Sequence, residues 1–152
     1  MQGISIRATM DGTISNMLAQ VSRLLRRSFD QRARDIGVTR PQWQVLGVLA
    51  AHEGIKQTGL ADILEVEPIT AGRMIDRLQE QNLVERRADP ADRRAWRLYL
   101  TARGRELSDT LLPLNAETYA IALEGVSEED RDRLRKTLAT MLENLKRRTG
   151  LH

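Results

Sequence analysis

The chain has 152 residues, no cysteine and a nearly balanced charge, with 24 basic and 21 acidic residues and a net charge of +3. This length allows one domain or a compact two-part unit with its own core, and the lack of cysteine excludes disulfides, thiolate metal sites and thiol-based redox sensing. The sequence shows neither a membrane-spanning apolar run nor a signal peptide, so we expect a soluble, cytoplasmic protein without a membrane partner.

The basic residues are almost all arginines, since Lys56, Lys136 and Lys146 are the only lysines. Arginine suits bidentate and phosphate contacts. A genome rich in G and C would also enrich arginine without any function, so composition alone leaves both explanations open. It does not explain why arginines cluster within one short polar turn, described below.

Residues 1–38 predict an amino-terminal arm followed by a long amphipathic helix from Thr13 to about Ile36. Apolar residues recur there every three or four positions: Ile14, Met17, Leu18, Val21, Leu24, Leu25 and Phe29. A second helix is predicted from Pro41 to His52, with Thr39 as its N-cap. That helix is apolar around much of its circumference, which predicts a central position.

Residues 57–81 predict two further helices, separated by Glu65-Val66-Glu67. Pro68 opens the second helix, a position at which its missing N–H costs nothing. One face of this helix is apolar, with Ala71, Met74, Ile75 and Leu78, whereas the opposite face carries Ile69, Gly72, Arg73 and Asp76, with Thr70 and Arg77 at its edges. Asn82 closes the helix because asparagine tolerates the left-handed conformation.

The period then falls to two, which predicts one strand over 83–87 and another over 96–100. Between them lies Ala88-Asp89-Pro90-Ala91-Asp92-Arg93-Arg94, a polar turn that we expect to be exposed throughout. Helix, turn, helix and a two-stranded ribbon with a basic tip is the outline of a winged helix-turn-helix.

Residues 102–152 predict two more helices. The first, capped by Thr101, contains Pro113, which predicts a kink. The second is capped by Ser127. Its apolar stripe comprises Leu134, Leu138, Met141, Leu142 and Leu145. Together with Ile14 and Leu18 these residues lie outside the winged unit, so we expect them to form a symmetric homodimer. The alternative is a monomer that folds the same helices back on itself.

At these motifs the sequence resembles the MarR family of bacterial transcriptional regulators. The resemblance rests on Leu60-Ala61-Asp62-Ile63-Leu64, Arg77-Leu78, Leu83-Val84-Glu85-Arg86, and Asp89-Pro90-Ala91-Asp92-Arg93-Arg94 running into Leu100-Thr101-Ala102-Arg103-Gly104. It implies a mainly α fold: a winged helix-turn-helix at 39–101, flanked by dimerisation helices at 1–38 and 102–152. Many relatives have glycine at Glu65 and Asn82, and Glu65 suggests a slightly different turn.

The predicted partner is double-stranded DNA with a pseudo-palindromic operator, read by the helix that begins at Pro68. Arg73 reaches guanine or a phosphate, Ile69 a thymine methyl, and Thr70 a base edge or phosphate, while Gly72 allows close approach. Arg77 either contacts phosphate or pairs with Asp76 or Glu80. At the start of the preceding helix, Gln57 and Thr58 are candidate phosphate donors, although Gln57 can equally be only a cap.

The ribbon is predicted to place Arg93 and Arg94 at its tip, where a narrow minor groove attracts arginine. The family's wing implies that Arg94 is inserted and that Asp92 holds it by an ion pair. Arg86, Arg87 and Arg97 line the ribbon as candidate phosphate contacts, although such charges are common on any surface ribbon.

We predict no catalytic residue, no metal site and no cofactor, because the sequence carries no metal-ligand spacing, nucleophile elbow or phosphate loop. Family members often bind aromatic effectors, and by position Met17, Val21 and Trp43 lie near such a cleft. The alternative is that Trp43 is a core residue and the other two pack in the dimer. The predicted function is a dimeric DNA-binding regulator, most simply a repressor; the rival is a winged-helix protein-interaction module without DNA binding.

Overall fold

The computed structural model describes residues 13–149, which form six helices and a two-stranded antiparallel sheet. In chain order the elements are α1 (Ile14–Asp35), α2 (Arg40–Ala51), α3 (Gln57–Leu64), α4 (Pro68–Glu80), β1 (Val84–Ala88), β2 (Trp96–Leu100), α5 (Ala102–Ala122) and α6 (Glu128–Thr149). The predicted mainly helical fold with a two-stranded wing is confirmed. The predicted amino-terminal arm, residues 1–11, lies outside the described residues.

The start of α2 is fixed by a capping box around Thr39. The Thr39 backbone N–H donates to the Gln42 side chain at 2.8 Å, which satisfies a donor that the helix itself leaves free. The amide nitrogen of Gln42 in turn donates to the Gln81 side chain at 2.7 Å, just beyond the end of α4. One side chain therefore both begins α2 and ties it to α4.

Two turns of the winged unit use a left-handed residue that is not glycine. Glu65, after α3, has a φ of 54°, and Asn82, after α4, has a φ of 57°. The different turn expected at Glu65 is not seen, because its backbone adopts the left-handed conformation that glycine favours. Glutamate tolerates this conformation less well than asparagine, so the departure from glycine adds strain at Glu65 without changing the turn.

The wing is an antiparallel ribbon in which Val84 lies opposite Leu100 and Ala88 opposite Trp96. The second edge of β2 is also paired, since the Leu98 N–H donates to the Ile55 carbonyl at 2.9 Å. Because both edges of β2 are bonded, the ribbon is held at Leu98 against the segment that leads into α3.

The core draws on every element from α1 to α5. Its buried members include Phe29 and Ala33 of α1, Leu46 of α2, Ile75 of α4 and Leu111 of α5. This core therefore includes residues from all three of the predicted segments.

Helix α5 starts in close contact with the residues that follow α4. The Thr101 hydroxyl donates to the Asn82 carbonyl at 2.6 Å and accepts the Gly104 N–H at 3.0 Å, which confirms the predicted N-cap. A Cβ at Gly104 would lie 2.0 Å from the Leu83 carbonyl oxygen, so this crossing requires glycine. Pro113 lies inside α5, which continues to Ala122.

One compact unit ends at Thr118 and a second begins at Tyr119. The second contains α6, where Ser127 accepts the Asp130 N–H at 3.2 Å as the predicted cap. Leu134 and Leu142 of the predicted stripe are exposed, whereas Leu138 and Met141 are half-buried. Among residues 13–149 no helix is long and apolar enough to cross a bilayer.

Candidate nucleic-acid interface

Helix α4 presents a polar face with one large apolar side chain. Ala71, Ile75 and Leu78 are buried against the core, as predicted from their spacing. On the other side Thr70 and Arg73 are exposed, and Ile69 is 71% exposed. The predicted contact of Ile69 with a thymine methyl requires an exposed position of this kind.

Arg73 and Arg77 are both exposed on α4, and within residues 13–149 neither forms an ion pair. The alternative in which Arg77 pairs with Asp76 or Glu80 is therefore not seen. Asp76 is paired instead with Arg86 of β1, at 2.7 Å. Both arginines of α4 keep their guanidinium groups available to an external acceptor.

Arg86 has a different place from the one expected of a phosphate contact. Its side chain is only 19% exposed. Nη1 donates to Asp76 at 2.7 Å and to Gln79 at 3.0 Å, Nε donates to Gln57 at 3.2 Å, and Nη2 donates to the Gly72 carbonyl at 3.3 Å. The guanidinium thus joins β1 to the start of α3 and to α4 between Gly72 and Gln79, and most of its N–H groups are occupied within the protein.

The same cluster changes the interpretation of Gln57 and Gly72. The Gln57 amide oxygen is occupied by Arg86, and a Cβ added at Gly72 would lie 3.3 Å from the Gln57 amide nitrogen. The half-buried Gly72 therefore lies against the end of the Gln57 side chain, and its predicted close approach to DNA stays a prediction. Thr58, the next residue of α3, is exposed.

The tip of the wing carries exposed charges. Arg93 and Arg94 are exposed, and in the described part of the chain no acid pairs with either. The expected ion pair from Asp92 is replaced by a backbone contact, since the Asp92 carboxylate accepts the Arg94 N–H at 3.0 Å. Asp92 shapes the turn and leaves the Arg94 side chain extended from it.

The turn of the wing begins with a buried acid, Asp89. Asp89 is 2% exposed, so the expectation that the whole turn lies at the surface is wrong. It accepts the Ala91 N–H at 2.9 Å and the Arg97 Nε–H at 3.0 Å, and Lys56 lies 3.6 Å away. The Arg97 guanidinium also donates to the Gly54 carbonyl at 3.0 Å.

The Ala91 hydrogen bond holds the pKa of Asp89 below its ordinary value, and the charges of Arg97 and Lys56 add to this effect against the opposing effect of burial. The sequence signal for this arrangement was the Asp-Pro pair at the end of a strand, because aspartate commonly accepts the amide two residues on. Arg97 thus has internal partners for Nε and Nη1, and its predicted phosphate contact stays a prediction. Arg87 also has internal partners, as it lies over the Tyr99 ring and pairs with Glu85.

The family model described as MarR family matches residues 36–95, the segment that holds this surface. Among solved structures the transcriptional regulator PA3341 is 33% identical, with a TM-score of 0.78 over 88% of this chain and 98% of that one. The chain belongs to the MarR family.

Two further crystal structures extend the comparison. A MarR-family regulator from Silicibacter pomeroyi is 26% identical, with a TM-score of 0.79 over 92% of this chain and 95% of that chain. CouR from Rhodococcus jostii RHA1, in a structure bound to p-coumaroyl-CoA, is 25% identical, with a TM-score of 0.73 over 87% and 93%. Both likenesses reach well beyond the winged unit that the MarR family model matches.

This MarR-family chain also contains a cavity of about 590 Å³ lined by α1, α2, β2 and the first half of α5. Phe29 and Trp43 form an aromatic wall, packed edge to face with ring centroids 4.8 Å apart, and Arg105 and Asp109 add charge to the lining. Of the predicted ligand residues Trp43 lines the cavity. Met17 and Val21 do not, and are exposed on α1 instead.

Trp43 is oriented by a buried carboxylate that the sequence analysis also missed. Its indole N–H donates to Asp30 at 2.8 Å, and Arg40 donates to the same carboxylate. Burial raises the pKa of Asp30, but the hydrogen bonds from Arg40 and Trp43 outweigh it, so the net pKa lies below its ordinary value. In residues 13–149 no group of three or more potential metal ligands occurs.

Proposed function

We propose that this protein is a sequence-specific DNA-binding regulator that acts as a homodimer, by binding rather than by catalysis. The observation that carries the proposal is the set of exposed arginines without acidic partners among the described residues. Arg73 lies on the outer face of α4, and Arg93 and Arg94 lie at the wing tip. A helix of this size fits the major groove, and a basic ribbon tip fits a neighbouring minor groove with its enhanced negative potential.

Within this proposal each exposed group has a distinct role. Pro68 sets the start of the reader helix, Ile69 and Thr70 meet base edges, and Arg73 reads guanine. Arg77 and Thr58 contact phosphates. Arg94 enters the minor groove, with Arg93 beside it on the backbone. Arg86 and Gln57 position the reader helix, because their hydrogen bonds are made to each other and to α4.

The dimer is supported by apolar side chains that the single chain leaves exposed. Ile14, Met17, Val21 and Leu24 are exposed along α1, and Leu134 and Leu142 are exposed on α6. Leu18, Leu138 and Met141 lie on the same helices. A second copy would remove this surface from water and would set two reader helices about one turn of DNA apart, over a pseudo-palindromic operator.

We further propose repression relieved by a small aromatic effector. The cavity beside Trp43 is of the size that small ligands occupy, and its aromatic wall suits a ring. The structure of CouR with p-coumaroyl-CoA supports an effector with an aromatic group in this family. Such a ligand would act by changing the distance between the two reader helices, to which a duplex adapts poorly.

The rival is a winged-helix module that binds a protein. An interaction module would favour an apolar or acidic surface at the reader face and wing tip, whereas three exposed arginines stand there. Binding-site selection from random duplexes, followed by gel shifts at two salt concentrations, separates the alternatives. DNA binding predicts an enriched palindrome and a steep loss of affinity with salt. No enrichment and no shift in dilute buffer would refute the proposal.

A variant of the reader helix sharpens this test. Arg73→Ala should reduce the preference for the selected site over random DNA by about 1–3 kcal/mol, the scale of one bidentate base contact. The matched control is Arg135→Ala, which removes an exposed arginine of α6 that pairs with Asp132. An equal loss of affinity on all sequences would make Arg73 a phosphate contact.

A further inference from the structure

Trp96 is a large aromatic side chain in an unusual place on the wing. It is the first residue of β2 and continues the face of the ribbon that buries Leu98 and Leu100, yet it is 49% exposed. Its indole N–H has no hydrogen-bond partner among residues 13–149. The other tryptophan, Trp43, does have one, in the Asp30 carboxylate. A tryptophan N–H can only donate, so a suitable partner for Trp96 must be an acceptor.

The surroundings of Trp96 narrow the kind of acceptor. It lines an open cleft of about 460 Å³ together with Gln57, Asp76, Gln79 and Arg86. This cleft lies between the reader helix α4 and the wing. Asp76 is exposed to 59%, but its charge is offset by the 2.7 Å ion pair with Arg86. The cleft thus presents neutral donors from tryptophan and glutamine around a compensated ion pair, which suits an anionic acceptor better than a cation.

The proposed function places DNA over this cleft. If α4 lies in a major groove and the wing tip in the adjacent minor groove, the sugar-phosphate strand that separates the two grooves has to cross the gap between them. Resting on that function, we propose that Trp96 is a DNA-contact residue that donates its indole N–H to a backbone phosphate at this crossing. Trp96 adds a neutral contact between the charged contacts of Arg73 and Arg94. It thereby helps to fix the position of the wing relative to the reader helix on the DNA.

The first test compares Trp96→Phe with the natural chain on the selected duplex. Phenylalanine keeps an aromatic ring in the lining of the cleft and removes the donor, so DNA affinity should fall roughly ten- to a hundredfold, as expected for one hydrogen bond to a charged acceptor. The slope of log affinity against log salt should stay unchanged, because no positive charge is lost. Ile36→Ala serves as the control, since it removes an apolar side chain of similar exposure at the end of α1.

A second measurement keeps the proposal testable if the substitution disturbs the wing. A Trp43→Phe protein retains Trp96 as its only tryptophan. The DNA affinity of this variant is measured first, so that a saturating DNA concentration is known. At that concentration the DNA should quench or shift the Trp96 fluorescence. Trp96 emission that is unchanged when the DNA is bound overturns the proposal.

The contact can also be located on the DNA. Neutral methylphosphonates are placed one at a time along the duplex. At one phosphate per half-site this change should lower the DNA affinity of the natural protein but leave that of the Trp96→Phe protein unchanged. Equal sensitivity of both proteins at every phosphate would show that Trp96 makes no such contact. A natural protein that binds no duplex at all would instead defeat the proposed function, so the two failures are distinguishable.

Discussion

The tip of the wing, formed by Arg93 and Arg94, and the two strands below it use arginine in opposite ways. At the tip, Arg93 and Arg94 extend from a turn that is held by backbone contacts to Asp92. In the strands, Arg97 is held by the buried Asp89, and Arg86 by four acceptors on α3 and α4. One short ribbon therefore carries both arginines that stabilise the fold and arginines that remain available to a partner.

This difference shows that arginine density alone is a poor guide to a DNA-binding surface. An arginine whose donors are already satisfied inside the protein must break those bonds before it can contact a phosphate, and that cost offsets the gain. An exposed arginine without a partner loses only side-chain entropy. Within the wing, the arginines of the strands are held by internal partners, whereas those of the tip remain available to an external one.

The largest expected effect is the loss of Arg86. Arg86→Ala leaves Asp76, Gln79 and the Gly72 carbonyl without their donor, and we expect a loss of about 2–3 kcal/mol in the free energy of unfolding. Chemical denaturation measures it directly. DNA affinity should also fall, because the reader helix loses its tie to β1.

The control for this variant is its neighbour. Arg87→Ala removes an exposed arginine that pairs with Glu85 and lies over Tyr99, and such surface interactions contribute only about 1 kcal/mol or less. Equal stability of the Arg86→Ala and Arg87→Ala proteins would show that the internal hydrogen bonds of Arg86 stabilise the fold no more than an exposed surface pair does.

Arg94→Ala comes next and should separate binding from stability. The free energy of DNA binding should weaken by about 1–2 kcal/mol, the size of one good groove contact, while the denaturation midpoint stays that of the natural chain. Fluorescence anisotropy on the selected duplex measures the first quantity. A binding loss matched by an equal loss of fold stability would give Arg94 a structural role like that of Arg86 and Arg97.

Asp89→Asn tests the buried carboxylate that holds Arg97, through the pH dependence of stability. The Asp89 pKa is lowered in the folded protein, so its ionised form stabilises the fold above the unfolded pKa of about 4, and this contribution is lost as pH falls through the lower folded value. The variant should be less stable at neutral pH, by less than Arg86→Ala because asparagine still accepts the Ala91 N–H. Denaturation at several pH values should also show that it loses less stability on acidification. If the Asp89→Asn protein kept the acid dependence of the natural chain, Asp89 would be removed as its source.

The sequence predicted the features that depend on local patterns and missed those that depend on distant contacts. Helix and strand order, the caps at Thr39, Thr101 and Ser127, and the exposure of the wing-tip arginines follow from local patterns, which residue spacing records. The role of Arg86 depends on partners far along the chain, such as Gly72, and the surroundings of Asp89 include the likewise distant Lys56. No periodicity reports those contacts, so a buried acid in a polar turn looked like a solvated one.

Arg93→Ala gives the smallest effect and the finest resolution within the tip. Arg93 and Arg94 are adjacent, both exposed, and both without an acidic partner in the described residues. If only Arg94 enters the groove, Arg93 acts on the phosphate backbone, and its loss should cost about 0.5–1 kcal/mol and lower the salt slope by about one unit, equally on selected and random duplexes. Affinity measured at several salt concentrations on both duplexes resolves these terms. A loss confined to the selected duplex would exchange the roles of the two arginines, because only a groove contact depends on the sequence beneath it.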